Sequence, residues 1–197
     1  MDIQQQIRKI LDAEAEAIRS VKVNGNFEKA VYALRDCKGK VVTTGMGKAG
    51  LVARKMAATL CSTSTPAVYI HPGEAEHGDL GLIAEGDCVA AFSTSGKTRE
   101  VIEMLNLGRH LGLHTIIGIT SHTDSELRSL ADILLDMGEV TEPCPLGLTP
   151  SSSIAVMLAI SDALALALME LKGVSREDYG LRHHGGYLGR KARLDNE

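Results

Sequence analysis

Paired-cysteine spacing is missing from this sequence. Its four cysteines, Cys37, Cys61, Cys88 and Cys144, stand singly with no C-x-x-C pair, which speaks against a secreted disulfide framework and for reduced thiols in the cytoplasm. A chain of 197 residues needs no such staple, because a domain of that size buries roughly 70% of its unfolded surface. A long basic run is missing too. With a formal net charge of -4 and a pI near 6.0, nothing favours nucleic acid or an anionic membrane as the main partner. No signal peptide is expected at the start, where the residues after Met1 are polar and immediately amphipathic. The longest apolar run, Ile154 to Met169, contains Ser161 and Asp162 and is short for a bilayer span, so it is expected to be a helix buried either centrally or in a subunit interface. Internal repeats and low-complexity linkers are absent.

What is present is a strand and helix alternation. Ile3, Ile7, Ile10, Leu11, Ala15, Ile18 and Val21 recur at helical spacing, predicting an amphipathic helix over 2–20. A second helix follows, marked by Phe27, Ala30, Val31 and Leu34 and ending near Gly39. Strands are then expected at Lys40–Thr44, Ala67–Ile70, Cys88–Phe92, Thr115–Ile119 and Ile133–Leu135. Helices are expected at Lys48–Leu60, Thr98–Leu111 and Ser125–Leu130, and a last one opens at Thr149 or Pro150 and is apolar on nearly all faces to Leu171. This order predicts an α/β fold with a five-stranded parallel sheet flanked by helices, doubly wound and flavodoxin-like. One domain is expected over 1–197, with N-terminal helices over 1–38, the α/β core over 39–172 and a tail over 173–197. The tail, rich in Gly, His and Arg from Tyr179 to Arg190, is expected to be a functional loop or a segment docking on another subunit, against the plainer reading of a solvated C-terminus.

The stretch the chain is organised around is CVAAFSTSGKTRE, Cys88–Glu100. An apolar strand breaks into Ser93, Thr94, Ser95 and Gly96 before helical spacing resumes at Thr98. Backbone N–H groups and hydroxyls so placed suit a compact anion such as phosphate; the competing reading is a helix N-cap cluster with spare hydroxyls. Gly45, Gly47 and Gly50 in GMGKAG formally match the dinucleotide fingerprint. The acidic residue that should end the second strand is missing, however, and Lys48 is a cation in a turn usually kept small, so the motif reads as a turn delivering Lys48 to the strand ends. Gly96-Lys97-Thr98 resembles a P-loop ending, but Ala91 stands where the leading glycine should be.

HPGEAEHGDLG, His71–Gly81, places two imidazoles and three carboxylates in one loop. Zinc is the rival for His71, Glu74, Glu76 and His77, but with no H-E-x-x-H and no cysteine nearby the cluster is read as a surface for sugar hydroxyls and proton transfer. Glu142, beside Pro143, Cys144 and Pro145, is expected to have a raised pKa through desolvation and to serve as the leading base, with Glu100 second; an ordinary exposed loop carboxylate is the alternative.

Together GMGKAG, HPGEAEHGDLG, FSTSGKTRE, EPCPLGLTPSSS and LRHHGGYLGR resemble the sugar isomerase (SIS) domain of arabinose-5-phosphate isomerases, over nearly the whole chain. The resemblance implies interconversion of ribulose 5-phosphate and arabinose 5-phosphate, in supply of Kdo synthesis, with no cofactor and no metal needed for catalysis. It implies phosphate held by Ser93, Ser95 and Thr98, and a polar site of Lys48, His77, Glu100, Glu142 and His183. It also implies a homotetramer with shared sites, in which a histidine of one chain, here His183, reaches its neighbour. Lys97 stands where an acidic residue is common and His184 where proline is usual. The paired CBS modules of many members are not expected, since the chain stops soon after Arg190.

Overall fold

The structure is a computed structural model and describes residues 1–193. Residues 194–197 of the tail lie outside the described residues. Two helices, α1 (Ile3–Arg19) and α2 (Gly25–Asp36), precede β1 (Val41–Gly45), α3 (Gly47–Ser62), β2 (Ala67–Ile70) and the short α4 (Pro72–Ala75). A 3-10 turn, Asp79–Leu82, leads to β3 (Cys88–Phe92), α5 (Arg99–His110), β4 (Thr115–Thr120), α6 (Glu126–Leu130) and β5 (Ile133–Asp136). The described residues close with α7 (Ser152–Leu171), α8 (Arg176–Arg182) and α9 (Gly186–Arg193). Local chemistry starts the first two helices: Asp2 accepts from the Gln5 amide at 3.1 Å and Asn24 from the Asn26 amide at 2.9 Å, each meeting a donor the helix cannot satisfy itself.

The five strands are all parallel, in the order β2-β1-β3-β4-β5. Side chains alternate between faces with a period of two. Ala90, Phe92, Ile117, Ile119 and Leu135 enter one core with residues of α2, α3 and α7, while Val89, Ala91, Ile116 and Leu134 enter the other with residues of α5 and α6. Both faces are therefore covered, as a parallel sheet requires. Phe92, Ile117 and Leu135 are fully buried, and each such side chain contributes about 1.5–3 kcal/mol of transfer free energy. At the amino end of the sheet, buried Asp87 accepts from the Lys40 amide at 2.9 Å, Lys40 Nζ at 2.6 Å and the Ala84 amide at 2.8 Å. These bonds join the starts of β1 and β3.

Register decides where function can sit. Gly45 lies beside Phe92, and Phe92 beside Ile119, so β1, β3 and β4 finish along one edge. The chain order reverses between β1 and β3. In parallel sheets of this kind such a reversal is where a ligand crevice is expected, at the carboxyl ends of the strands.

The tail and the last long helix differ from expectation. The tail is not a loop over Tyr179–Arg190: α8 and α9 occupy most of it, and α8 starts with a capping box in which Ser175 and Asp178 exchange hydrogen bonds. The apolar helix begins at Ser152, not at Thr149 or Pro150, and is buried on one face only. Val156, Ile160, Leu164 and Leu168 pack inward, whereas Leu158, Leu166 and Leu171 are exposed. With 20 residues this helix is long and apolar enough to cross a membrane by length and composition. Its packing against α1, α2 and α3 makes it a core helix instead.

Candidate active site

The first wall of the crevice is the turn after β1. Gly47 takes φ +58, and a Cβ on Gly50 would stand 2.4 Å from the Gly45 carbonyl oxygen and 2.8 Å from Tyr69 Oη. Only glycine permits that approach. Tyr69 Oη donates to Gly45 O at 3.1 Å, tying β2 to the turn. Lys48 is the second residue of α3 and is exposed. The next loop abuts this one, since a Cβ on Gly73 would lie 3.2 Å from the His71 ring and 3.9 Å from Met46 Cε.

His71–Gly81 is more ordered than an irregular loop. Pro72 opens α4, with His71 at its N-cap, and the 3-10 turn follows. His71 Nδ1 is buried without a hydrogen-bond partner, while Glu74 and His77 are exposed. The Glu103 carboxyl beside Glu76 raises the Glu76 pKa, and Arg99, 2.7 Å from Glu103, holds Glu103 down. Among the described residues no group of three or more His, Cys, Asp or Glu is arranged to hold a metal ion.

The second wall is the turn after β3. Ser93 Oγ and Thr98 Oγ1 share a hydrogen bond of 2.8 Å, and the Lys97 amide donates to Ser95 Oγ at 3.2 Å. Thr98 occupies the N-cap of α5, yet its side chain makes no capping bond. The N-cap reading is therefore not met at Thr98 itself. Gly96 takes φ +62, and a Cβ there would stand 1.9 Å from Ser125 Oγ, so the turn is closed by the loop that follows β4. Ser93 is buried, Thr94 half-buried and Ser95 exposed. Glu100, second residue of α5, is half-buried.

Glu142 departs from its expected titration. Burial pushes its carboxyl up, but hydrogen bonds from Ser153 and Ser151 outweigh that effect and hold it below the usual carboxylate value. Its Oε2 accepts from the Ser151 amide at 2.8 Å, Ser151 Oγ at 3.1 Å and the Ser152 amide at 2.8 Å. Its Oε1 accepts from the Ser153 amide at 3.2 Å and Ser153 Oγ at 2.5 Å. Glu142 thus caps α7 through space, with both oxygens committed to the helix N-terminus. The raised-pKa expectation is overturned. In the same loop the Thr149 and Leu148 amides, 3.3 and 3.4 Å from Cys144 Sγ, lower that thiol to about 7.

His183 caps α8 and stacks on Tyr179 with ring centroids 4.0 Å apart; its Nδ1 lies 3.2 Å from Tyr179 O. No hydrogen bond or ring contact joins it to the other candidates among the described residues. The sheet edge therefore assembles the Gly45–Lys48 turn, the His71–His77 loop and the Ser93–Glu100 turn, whereas His183 is carried by the end of α8. Sequence reasoning missed the loop after β4, where Thr120, Ser121, His122 and Ser125 meet the turn after β3. The signal was available, because ITSHTDS repeats the pattern of an apolar strand breaking into hydroxyl residues.

A family model described as the SIS domain matches residues 33–167. Arabinose 5-phosphate isomerase KdsD of Pseudomonas aeruginosa is 42% identical over 199 residues, which is 100% of this chain and 61% of that protein. The chain thus spans about three fifths of the length of the curated relatives it matches. A Bacteroides fragilis protein, described as a phosphosugar isomerase involved in capsule formation, superposes with a TM-score of 0.91 at 43% identity, covering 94% of this chain and 99% of that one. A protein of Escherichia coli CFT073, solved in complex with arabinose 5-phosphate, gives a TM-score of 0.89 at 39% identity, covering 92% of this chain and 97% of its own.

Proposed function

We propose, because this chain belongs to the SIS-domain family, that it is an aldose-ketose isomerase interconverting D-arabinose 5-phosphate and D-ribulose 5-phosphate through a cis-enediol. The observation that carries the reading is the pairing of two turns at one reversal point: the Ser93–Thr98 hydroxyl turn stands at the end of β3, directly beside the Gly45–Lys48 turn at the end of β1. An anion held at one turn would present the rest of a short sugar to the other.

In this reading Ser93, Thr94, Ser95 and Thr98 bind the phosphate. His71 and Glu74, with the Gly45 and Gly47 backbone, line the sugar's course. A base removes the proton from the carbon next to the carbonyl and returns it to the neighbouring carbon, while Lys48 stabilises the oxyanion that develops between the two steps. Glu142 has its lone pairs occupied, so the base role passes to Glu100, whose carboxylate makes no hydrogen bond among the described residues. His77, and His183 from a neighbouring subunit, move protons between the sugar hydroxyls. No cofactor enters the scheme.

The exposed apolar residues Ile3, Ile7 and Leu11 of α1 and Leu158 and Leu166 of α7 support a subunit interface, and the proposal takes the assembly to be a cytoplasmic homotetramer with sites completed across subunits. The test is solvent-deuterium exchange with a panel of pentose and hexose phosphates. Exchange and turnover with arabinose 5-phosphate above the others support the proposal. Preference for another sugar phosphate would move the substrate, and binding with no exchange on any of them would make the chain a sensor and end the isomerase reading.

A further inference from the structure

Three hydrogen bonds converge on one carbonyl in the turn after β3. Thr94 O accepts from the Ser121 amide at 3.1 Å, from Thr120 Oγ1 at 3.0 Å and from His122 Nδ1 at 3.0 Å. A carbonyl can only accept, so Nδ1 of His122 carries a hydrogen. All three donors come from the segment that leaves β4.

A trans peptide unit is planar, and its C=O and the following N–H point in opposite directions. Fastening the Thr94 oxygen to the β4 side therefore turns the Ser95 N–H away from β4. That amide donates to no acceptor within the protein among the described residues, and it belongs to the same turn as the Ser93–Thr98 hydroxyl pair and Ser95 Oγ. Orientation of this one peptide decides whether the turn offers an anion an N–H or a carbonyl oxygen. Thr120 is fully buried and Ser121 contributes its backbone, whereas the His122 side chain is exposed. Of the three donors, the imidazole is the one with no part in the core.

We infer that His122 is a positioning residue for the phosphate turn, holding the Thr94–Ser95 peptide so that the Ser95 amide faces a phosphate dianion. The inference rests on the reading of that turn as the phosphate site. His122 does not touch the reacting carbons, and its effect falls on binding.

The experiment compares the wild-type protein with His122→Ala, with His122→Phe, which keeps a ring without a donor, and with His122→Asn, whose side-chain amide can replace the Nδ1 hydrogen. Inorganic phosphate is titrated by calorimetry, and KM and kcat are measured with arabinose 5-phosphate. Loss of one neutral hydrogen bond predicts that Ala and Phe weaken phosphate binding and raise KM about three- to tenfold, with kcat within about twofold, and that Asn recovers most of the loss. Unchanged phosphate affinity and KM in both Ala and Phe would overturn the inference, as would a loss confined to kcat or a failure of Asn to recover binding. If the wild-type protein binds no phosphate and turns over no sugar phosphate, the reading of the turn falls and the inference with it. If it binds phosphate and the variants bind equally well, the inference alone falls.

Discussion

Replacing Glu142 with glutamine separates two roles that a carboxylate in this position could have. As a catalytic base it would be dispensable for folding, and its loss would remove roughly 100-fold to 10,000-fold of rate. As the cap of α7 it would matter chiefly for stability. Glutamine keeps one oxygen and turns an amide NH2 toward donors that need an acceptor. An N-cap substitution costs about 0.5–2 kcal/mol, and loss of a negative charge at a helix N-terminus adds about 0.3–1 kcal/mol. Glu142 serves three amides and two hydroxyls, so the upper part of that range, about 2 kcal/mol, is expected. For a domain of this size the melting temperature should fall by about 4–8 °C.

The pH dependence fixes the sign. The folded carboxyl titrates below its ordinary value of 4.5, so its stabilisation is complete above that value and is lost as pH falls through the folded pKa. The gap in melting temperature between wild type and Glu142→Gln should therefore be constant at neutral pH and close in acid. Calorimetry across a pH series reads this, and solvent-deuterium exchange on the same samples reads the chemistry, where a loss below about tenfold is expected. A variant that melts like the wild type and has lost exchange by about 100-fold or more would refute the reasoning and return the base role to Glu142.

Ser95→Ala should raise KM for the sugar phosphate by more than it lowers kcat, because the phosphate is remote from the reacting carbons and keeps its charge throughout; steady-state kinetics showing a fall in kcat alone would count against that role. Asp87 is pushed up by burial and down by Lys40 and the Lys40 and Ala84 amides, with a net lowering from 3.8, so its stabilisation holds above that value and is lost in more acid solution. Asp87→Asn should cost about 2–3 kcal/mol at neutral pH and less in acid, read as denaturant midpoints. Mixing inactive His183→Ala and inactive Glu100→Gln subunits should restore part of the activity if sites are completed across chains. No recovery after verified subunit exchange would sink the shared-site proposal, and a monomer by light scattering would sink the assembly.

The legible and illegible parts of this protein differ in the range of the interactions that decide them. The five strands were readable to within about a residue because a strand covered on both faces must be a short, unbroken apolar run, as Cys88–Phe92 and Ile116–Ile119 are. The turn after β3 was readable for a related reason: its hydroxyls follow directly on such a run, and Gly96 marks a backbone position where a Cβ would collide. The tail failed on weighting, since its glycines and histidines outweighed the Ser175-x-x-Asp178 signature that starts α8.

The expected rise in the Glu142 pKa failed for a deeper reason. Desolvation beside Pro143 and Pro145 is legible from neighbours in the chain and was correct in sign, for burial does push the carboxyl up. The opposing hydrogen bonds come from residues nine to eleven positions away, and no spacing rule links a loop carboxylate to a helix start at that distance. His122 repeats the lesson, since its partner Thr94 lies 28 positions earlier. A residue type can suggest what a side chain is able to do, but the partners that consume its lone pairs or hydrogens are set by the register of the sheet. Register also brings β3 and β4 to a common end, which is what lets an exposed imidazole grip a carbonyl in the neighbouring turn. Residues that follow adjacent strand ends are thus the ones whose chemistry a sequence reading should leave open until the strand order is known, because the fold can assign them a cap, a positioning contact or a substrate with equal ease.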